Sequence, residues 1–135
     1  MIIKVSVLSD DMLLDCYNIV SYFMGKINHF DFWIQDKVNS GRGVMFADIQ
    51  DNRLNGFVIG RVCGTSAYVD DLFVLSELHR SGVGTALLNA YQDYVVKSGG
   101  TMISLMSRNT VQAFDFYKKA GFTRLGQSNK MQNML

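Results

Sequence analysis

The arrangement of the whole chain follows from one stretch, DDLFVLSELHRSGVGTALL, at residues 70–88. Apolar and β-branched residues at 72–75 predict a buried strand, and apolar residues recur at helical spacing from Val83 onward. Between the strand and the helix lie Gly82 and Gly84, which have no Cβ atom. Backbone N–H groups can converge at such a junction, at the positive end of the helix dipole. The junction therefore predicts a binding site for a phosphate or pyrophosphate group.

The glycine spacing excludes two widespread phosphate-binding loops. A dinucleotide-binding loop has a third glycine three residues after Gly84, where this chain has Leu87, and a Walker loop has a lysine that is absent here. What remains is an apolar strand, the spacing x-x-Gly-x-Gly and a helix that opens with Thr-Ala-Leu-Leu. This pattern resembles the coenzyme A pyrophosphate loop of the GNAT superfamily of N-acetyltransferases.

Three features in the family's order extend the resemblance over residues 48–122, more than half of the chain. Residues 68–74 resemble the family's central strand, most closely the Leu-Glu-Asp-aromatic form of diamine acetyltransferases. The glycine loop at residues 79–84 follows. Asn109 and the run AFDFYKKAGF at residues 113–122 then resemble the family signature Asn…Phe-Tyr-x-x-x-Gly-Phe. Together they indicate a GNAT-like enzyme that acetylates an amine.

One loop position departs from the family pattern. The family has Arg or Gln where this chain has His79, and Arg80 is not in register to replace it. Two interpretations stay open for His79. It can donate a hydrogen bond to a phosphate, more strongly when protonated, or it can be a solvated loop residue.

The rest of the sequence predicts a single domain, residues 1–135, with the element order β-α-α-β-β-β-α-β-α-β. Ser9 is a candidate N-cap for the first helix, and Gly25 ends that helix. Short turns between the strands at 44–49, 54–62 and 67–75 predict an antiparallel meander.

The helix after the glycine loop predicts a crossover. A helix that ends near Lys97 should connect the central strand to a parallel strand at 101–106. A helix at 109–120, a strand region at 122–125 and an edge strand at 131–135 complete the chain. The expected fold class is α/β, a three-layer α-β-α GNAT-like fold with a mixed, mostly antiparallel central sheet.

Charge and hydropathy limit the partners. With 13 basic and 12 acidic residues, the net charge is +1, which argues against a nucleic-acid partner because phosphate contacts need clustered Lys and Arg. No stretch approaches the ~20 apolar residues of a membrane span or a signal peptide. We therefore expect a cytoplasmic protein without a membrane partner, and a homodimer is compatible with the sequence.

Cysteine and histidine are too few and too scattered to indicate a metal site. Cys16 and Cys63 lie far apart, and His29 and His79 are the only histidines, so a zinc site would have to recruit all four from unrelated segments. We expect no metal and two buried free thiols. The first two helices are rich in aromatic residues that form core or line a substrate pocket: Tyr17, Tyr22, Phe23, Phe30, Phe32 and Trp33.

The resemblance implies acetyl-CoA as cosubstrate and a set of site residues. Tyr117 would stand near the thioester sulfur and protonate the departing thiolate, and the alternative for it is a core tyrosine. Val74 and Leu75 would pair with the pantetheine arm and offer an N–H to the oxyanion. Asn109 would touch the coenzyme or serve only as an N-cap. The coenzyme-binding set is Phe73, Val74, Leu75, His79, Arg80, Ser81, Gly82, Val83, Gly84, Thr85 and Asn109.

The two aspartates at the start of the stretch are candidates for removing the proton of the amine. Strand alternation predicts that Asp70 and Asp71 point to opposite faces, so only one of them can act. The diamine-type pattern favours Asp70, and a solvated or structural aspartate is the alternative.

Three functions compete at this point. The first is an enzyme that acetylates an amine of a small molecule or peptide. The second is a non-catalytic acyl-CoA-binding regulatory module, with which His79 is compatible. The third is an acetyltransferase acting on aminoacyl-tRNA or a protein terminus, and the balanced charge argues against its RNA form. Release of free thiol from acetyl-CoA in the presence of amines separates the first from the second.

Overall fold

The structure is a computed structural model that describes the backbone of residues 1–135 and every side chain except those of Phe32 and Asn39. The expectation for the Phe32 ring therefore lies outside the described residues. Within the described backbone, no helix combines the length and the apolar character needed to cross a membrane.

The helices and strands follow the predicted order, including a last strand near residues 131–135. The elements are β1 (Ile2–Val5), α1 (Asp10–Met24), α2 (Phe30–Asn39), β2 (Val44–Gln50), β3 (Arg53–Cys63), β4 (Ser66–Val74), α3 (Val83–Lys97), β5 (Met102–Met106), α4 (Val111–Lys119), β6 (Thr123–Arg124) and β7 (Lys130–Met134). A short 3-10 turn, Ser76–Leu78, lies between β4 and the glycine loop.

The strands form one sheet in the order β1-β2-β3-β4-β5-β7-β6. Only β4 and β5 pair in parallel, across the α3 crossover, and the other neighbours are antiparallel. The predicted α/β class, mixed sheet and crossover are confirmed. The prediction of an edge strand at 131–135 is wrong, because β7 lies between β5 and β6. Its Met131 is fully buried opposite Leu105, which gives this strand an interior place.

Two apolar cores on opposite faces of the sheet confirm the three layers. On one face, α1 and α2 pack on Met45, Phe57 and Ile59, with Tyr17, Phe23, Phe30 and Trp33 among the packed aromatics. On the other face, α3 and α4 pack on the strands through residues such as Leu87, Tyr91 and Phe114. The sheet thus separates a layer formed by α1 and α2 from the layer that carries the glycine loop.

The predicted N-cap is confirmed for α1 and is wrong for α4. Ser9 Oγ accepts the N–H of Met12 at 3.2 Å, as predicted for an N-cap. The helix predicted from residue 109 instead begins at Val111, and its cap is Thr110, whose Oγ1 accepts the N–H of Ala113 at 3.2 Å. The interpretation of Asn109 as the N-cap is therefore wrong.

The two cysteines differ in exposure. Cys16 is a buried free thiol, as expected, and burial raises its pKa to about 12. Cys63 is free but exposed, so the expectation for it is wrong. It is the last residue of β3, next to the turn at Gly64, where the alternation of buried and exposed positions ends.

Candidate active site

The central strand loses its neighbour on one side halfway along its length. β4 pairs with β5 only at residues 66–69, whereas its pairing with β3 continues to Val74. Residues 70–74 of β4 therefore have an open edge toward β5. We call this opening the wedge.

Backbone polarity along β4 determines which groups face the wedge. The N–H of Leu75 donates to the carbonyl of Asn55 at 2.9 Å, so it points toward β3. Because ladder groups alternate in an antiparallel pair, the N–H and C=O groups of Val74 and Leu72 point the other way, into the wedge. The N–H of Leu75, expected to face the ligand, is thus already used within the sheet, whereas the N–H groups of Val74 and Leu72 face the wedge. Strand periodicity could have identified Leu72 once the register of β3 was known.

His79 forms a hydrogen bond with the last residue of β4. Its Nε2 lies 3.1 Å from the carbonyl oxygen of Val74, which requires the proton on Nε2 because a carbonyl only accepts. Its ring stacks on Phe23 of α1, with 5.5 Å between the centroids and 4° between the planes. This is a third role, in addition to the phosphate contact and the solvated loop residue that the sequence left open.

The glycine loop presents consecutive N–H groups at the start of α3. The N–H of Ala86 donates to Gly82, but in the described backbone no carbonyl accepts from the N–H of Gly82, Val83, Gly84 or Thr85. Gly82 has φ +92°, a conformation that L side chains rarely adopt, and it gives the loop its turn. Together with the helix dipole, these four donors are able to bind an anionic group such as a phosphate.

Gly84 also has a role in the packing of α3 against α4. A Cβ atom at this position would lie 3.2 Å from Cζ of Phe116 in α4. The missing side chain lets α4 approach α3, which places the neighbouring Tyr117. The loop residues Arg80 and Ser81 precede the four donors, and Arg80 has φ +68°.

Tyr117 is held inside the layer that contains α3 and α4. Its ring packs edge-on against Phe116 at 5.1 Å and Phe122 at 5.8 Å. Burial raises the pKa of Tyr117 to about 12, and the charge of Arg108 opposes that rise. Val111 is 74% exposed, because the helix begins only at that residue and leaves it outside the core.

The coenzyme candidates Asn109 and Phe73 differ in their surroundings. Asn109 is exposed, two residues before α4 begins. The ring of Phe73 packs on the α1 side of the sheet, 6.1 Å from Phe23 and 5.7 Å from Phe57. Its side chain therefore lies in the core, and only the backbone of this part of β4 runs along the wedge.

A β-bulge places both aspartates on the same face of the sheet. The register shifts after Ile59, which pairs with Asp71, to Gly60, which pairs with Val69, so Asp70 is the extra residue of β4. Asp70 accepts two hydrogen bonds from Arg61, at 2.7 and 3.0 Å, and Asp71 accepts one from Lys37 of α2 at 2.8 Å. The prediction that they point to opposite faces is wrong, because a bulge interrupts the alternation.

The bulge is stabilised from the other layer. The hydroxyl of Tyr91 in α3 donates to the carbonyl of Tyr68 at 2.6 Å and to that of Arg61 at 3.1 Å. Gly60 makes this possible, since a Cβ atom there would lie 2.2 Å from the Tyr91 ring. Burial raises the pKa of the Tyr91 hydroxyl, which remains a donor.

The two carboxylates differ in environment. Burial raises the pKa of Asp71, and the contact with Lys37 only partly offsets the rise. The Lys37 ammonium also lies 4.1 Å from the ring centroid of Trp33. Asp70 and Arg61 line a cavity of about 270 Å³ together with Asp36, Lys37, Arg42 and Gly43. The face of the wedge toward α2 is thus charged and open, whereas the opposite face is apolar around Tyr117.

Comparison with known proteins agrees with this geometry. The family pattern of the acetyltransferase (GNAT) domain matches residues 26–135, most of the chain. The comparison with curated protein sequences gives no match.

Solved structures show the same fold. PaiA N-acetyltransferase from Thermoplasma acidophilum in complex with coenzyme A has a TM-score of 0.75 at 19% identity, with 100% of this chain and 99% of that chain covered. The ribosomal-protein-alanine N-acetyltransferase from Escherichia coli has a TM-score of 0.80 at 20% identity, with 99% and 94% covered. The aminoglycoside 6'-N-acetyltransferase from Enterococcus faecium has a TM-score of 0.78 at 18% identity, with 99% and 96% covered.

A sheet that opens beside its central strand, a helix N-terminus with unused N–H groups and the match over residues 26–135 lead to one family. The chain belongs to the GNAT acetyltransferases and is an acetyl-CoA-dependent N-acetyltransferase.

Proposed function

We propose that this enzyme acetylates a primary amine of a small molecule or a peptide by direct attack of the amine on the thioester, inside the wedge. The observation that carries the proposal is the open edge of β4 at residues 70–74. This edge leads to the four unused N–H groups of the glycine loop at one end and begins beside the two aspartates at the other.

The coenzyme would lie along this edge. The N–H groups of Gly82, Val83, Gly84 and Thr85 would hold the pyrophosphate, with His79, Arg80 and Ser81 forming the turn that leads to them. The pantetheine arm would continue the sheet by pairing with the wedge-facing N–H and C=O of Leu72 and the N–H of Val74, as an added strand does. Asn109, across the wedge, remains our candidate for a further contact to the coenzyme.

The same backbone would stabilise the developing oxyanion. Val74 directs its N–H into the wedge from a strand that pairs with β3 along its other edge, so the donor is fixed before any substrate binds. A donor that is already oriented needs no reorganisation when negative charge develops on the thioester oxygen. Leu72 offers a second N–H of the same orientation.

Tyr117 would be the general acid. The amine nitrogen forms a bond to the thioester carbon, the carbon–sulfur bond breaks, and the departing thiolate takes the phenolic proton. Because burial raises the pKa of Tyr117 to about 12, the hydroxyl is protonated throughout the neutral range and ready to donate. Solvent then returns the proton to Tyr117.

Proton removal from the amine would fall to the carboxylate pair at the bulge. We retain Asp70 as a candidate and add Asp71, since both face α2. The raised pKa of Asp71 makes it the better base of the two. Both carboxylate oxygens of Asp70 accept hydrogen bonds from the Arg61 guanidinium, so Asp70 is less free to accept a proton. Either carboxylate can act through a water molecule.

The ion pairs of Asp70 and Asp71 narrow the class of amine that the enzyme would acetylate. Structural neighbours include an aminoglycoside and a ribosomal-protein-alanine N-acetyltransferase, so the fold serves both small molecules and proteins. The similarity of β4 to diamine acetyltransferases would place a dication beside Asp70. Arg61 and Lys37 already neutralise both carboxylates, and we therefore favour an acceptor with a single amine over a diamine.

Thiol release from acetyl-CoA tests the proposal, with a panel of amines that includes amino acids, short peptides, an aminoglycoside and spermidine. We expect amine-dependent release of one thiol for each acetylated product, identified by mass spectrometry. Coenzyme binding without release by any amine would contradict it.

A further inference from the structure

Arg108 lies at the mouth of the wedge on the side of α1. It follows β5 by two residues, and its guanidinium carbon is 5.4 Å from the centroid of Phe23. The Phe23 ring in turn stacks on His79, which is bonded to the end of β4. A chain of contacts thus spans the wedge from β4 to the residues after β5, through Val74, His79, Phe23 and Arg108.

The backbone at Arg108 is fixed by its neighbours. The carbonyl of Arg108 accepts the N–H of Thr110 at 2.9 Å and the hydroxyl of Ser107 at 2.9 Å. The buried Ser107 donates its N–H to the carbonyl of Asn129 at 2.8 Å. The side chain is therefore presented from a rigid segment, and contact with an aromatic face favours its position there.

The guanidinium has no anionic partner among the described side chains. None of their five ion pairs involves Arg108, whereas Lys37 and Arg61, the cations beside Asp71 and Asp70, are both paired. The acceptor side of the wedge therefore offers one unpaired cation and no unpaired carboxylate at the bulge. A ligand with a free negative charge complements this arrangement better than a polycation does.

The charge of Arg108 also reaches the reaction centre, since it lowers the pKa of Tyr117 against the effect of burial. Because Arg108 follows β5, on the other side of the wedge from Val74, a group bound by Arg108 would lie beside the wedge in which the thioester is proposed to react. The anionic group of an acceptor would then be only a few bonds from its attacking amine.

On this basis we propose that the acceptor carries a carboxylate close to its amine, as a free amino acid does, and that Arg108 binds this carboxylate. The inference rests on the proposed function, because it assumes that an amine is acetylated in the wedge. An arginine fork suits a carboxylate because it can form two parallel hydrogen bonds.

The test compares amines that differ only in the carboxylate. Glycine with glycinamide, and β-alanine with its amide, are offered at saturating acetyl-CoA, and kcat/KM is measured for each by thiol release. The readout is the ratio of the acid to its amide in the parent, Arg108→Gln and Arg108→Lys. Lys97→Gln removes one positive charge from the last turn of α3, away from the wedge, and serves as the control. Coenzyme A affinity is measured separately by calorimetry.

We expect the parent to prefer the acids and Arg108→Gln to lower the acid-to-amide ratio by roughly 10-fold or more, the size of a charged hydrogen bond. Arg108→Lys should retain part of the preference, and Lys97→Gln all of it. A ratio that Arg108→Gln leaves unchanged would overturn the inference. So would weaker coenzyme A binding with equal losses for acids and amides, or a parent that prefers spermidine. Failure of every amine to release thiol removes the proposed function instead, and the inference with it.

Discussion

The Nε2 atom of His79 lies 3.1 Å from the carbonyl oxygen of Val74. This contact joins the start of the glycine loop to the last residue of β4, and the stack on Phe23 fixes both against α1. With its carbonyl occupied, Val74 can direct only its N–H toward a ligand in the wedge. We therefore propose that His79 acts as a positioning residue, at the place where the family has Arg or Gln.

Replacing His79 by Phe should separate the hydrogen bond from the stacking. The variant keeps an aromatic ring for Phe23 but leaves the Val74 carbonyl without its donor. We expect a loss of about 1 kcal/mol in the free energy of unfolding, typical of one hydrogen bond, together with a lower kcat. Urea unfolding and thiol release measure the two effects. His79→Gln, which keeps an N–H donor and loses the ring, should retain more of the kcat, and equal kcat values in His79→Phe and the parent would remove His79 from this role.

A side chain at Gly84 should act through α4. Its Cβ atom would meet the Phe116 ring at 3.2 Å. Gly84→Val should therefore destabilise the protein by about 1–3 kcal/mol, the usual cost of overpacking, and should shift Tyr117. In a Phe116→Ala background the penalty should become smaller, because the obstructing ring is gone. A double-mutant cycle by urea unfolding measures this coupling, and strict additivity would show that the two side chains do not compete for space.

How far the sequence predicts this fold depends on whether a signal is local. Ser9 and Gly25 mark the limits of α1 correctly, since capping depends on a few neighbouring residues. The parallel pairing of β4 and β5 also follows from sequence order, because a helix separates the strands. The position of β7 in the sheet does not follow from sequence order. It depends on which strand edge is free when the chain returns after α4, and Met131 pairs there with Leu105 of β5.

The site shows the same division. The glycine loop is readable because its glycines are adjacent in sequence. The bulge at Asp70 depends on Gly60 and on the Tyr91 hydroxyl from another layer, so strand alternation alone gave the wrong face. The contact between His79 and Val74 likewise requires the turn at Ser76–Leu78, which no local pattern predicts. Long-range packing decided each of these details.

The ion pair between Lys37 and Asp71 should make stability depend on pH in a defined direction. The folded-state pKa of Asp71 is raised above its ordinary value of 3.8, so protons bind more tightly in the folded state. The contribution of this carboxyl to stability is therefore most favourable below the unfolded pKa and is lost as pH rises through the folded pKa. The Lys37 charge limits this loss, because it stabilises the ionised form of Asp71. Lys37→Met removes that charge and leaves the carboxylate without a cation.

We expect Lys37→Met to lower the free energy of unfolding by about 1.5 kcal/mol or more at neutral pH, the lower end for a charged hydrogen bond. At a pH below 3.8 the difference from the parent should shrink, since Asp71 is then protonated in both proteins. Urea unfolding at the two pH values measures it. Arg42→Met, which breaks the exposed pair with Asp36, is the control and should have little effect at either pH. A penalty for Lys37→Met that is equal at both pH values would contradict the assignment.

Tyr117→Phe tests the general acid most directly. The ring packs on Phe116 and Phe122, and Phe at this position keeps those contacts, so stability at neutral pH and coenzyme A affinity should stay close to the parent values. Loss of the proton donor should lower kcat by roughly 100-fold or more, the usual size for a general acid. The folded-state pKa of about 12 adds a second signature, because it lies above the ordinary tyrosine pKa of 10.0. Stability that the hydroxyl contributes below the unfolded pKa is lost as pH rises toward the folded pKa, so the parent should lose stability in that alkaline window and Tyr117→Phe should lose less. Melting temperature across that window, coenzyme affinity and kcat on this one variant distinguish the two roles. A tyrosine that only fills the core would show the alkaline signature with an unchanged kcat, and that result would exclude Tyr117 as the acid.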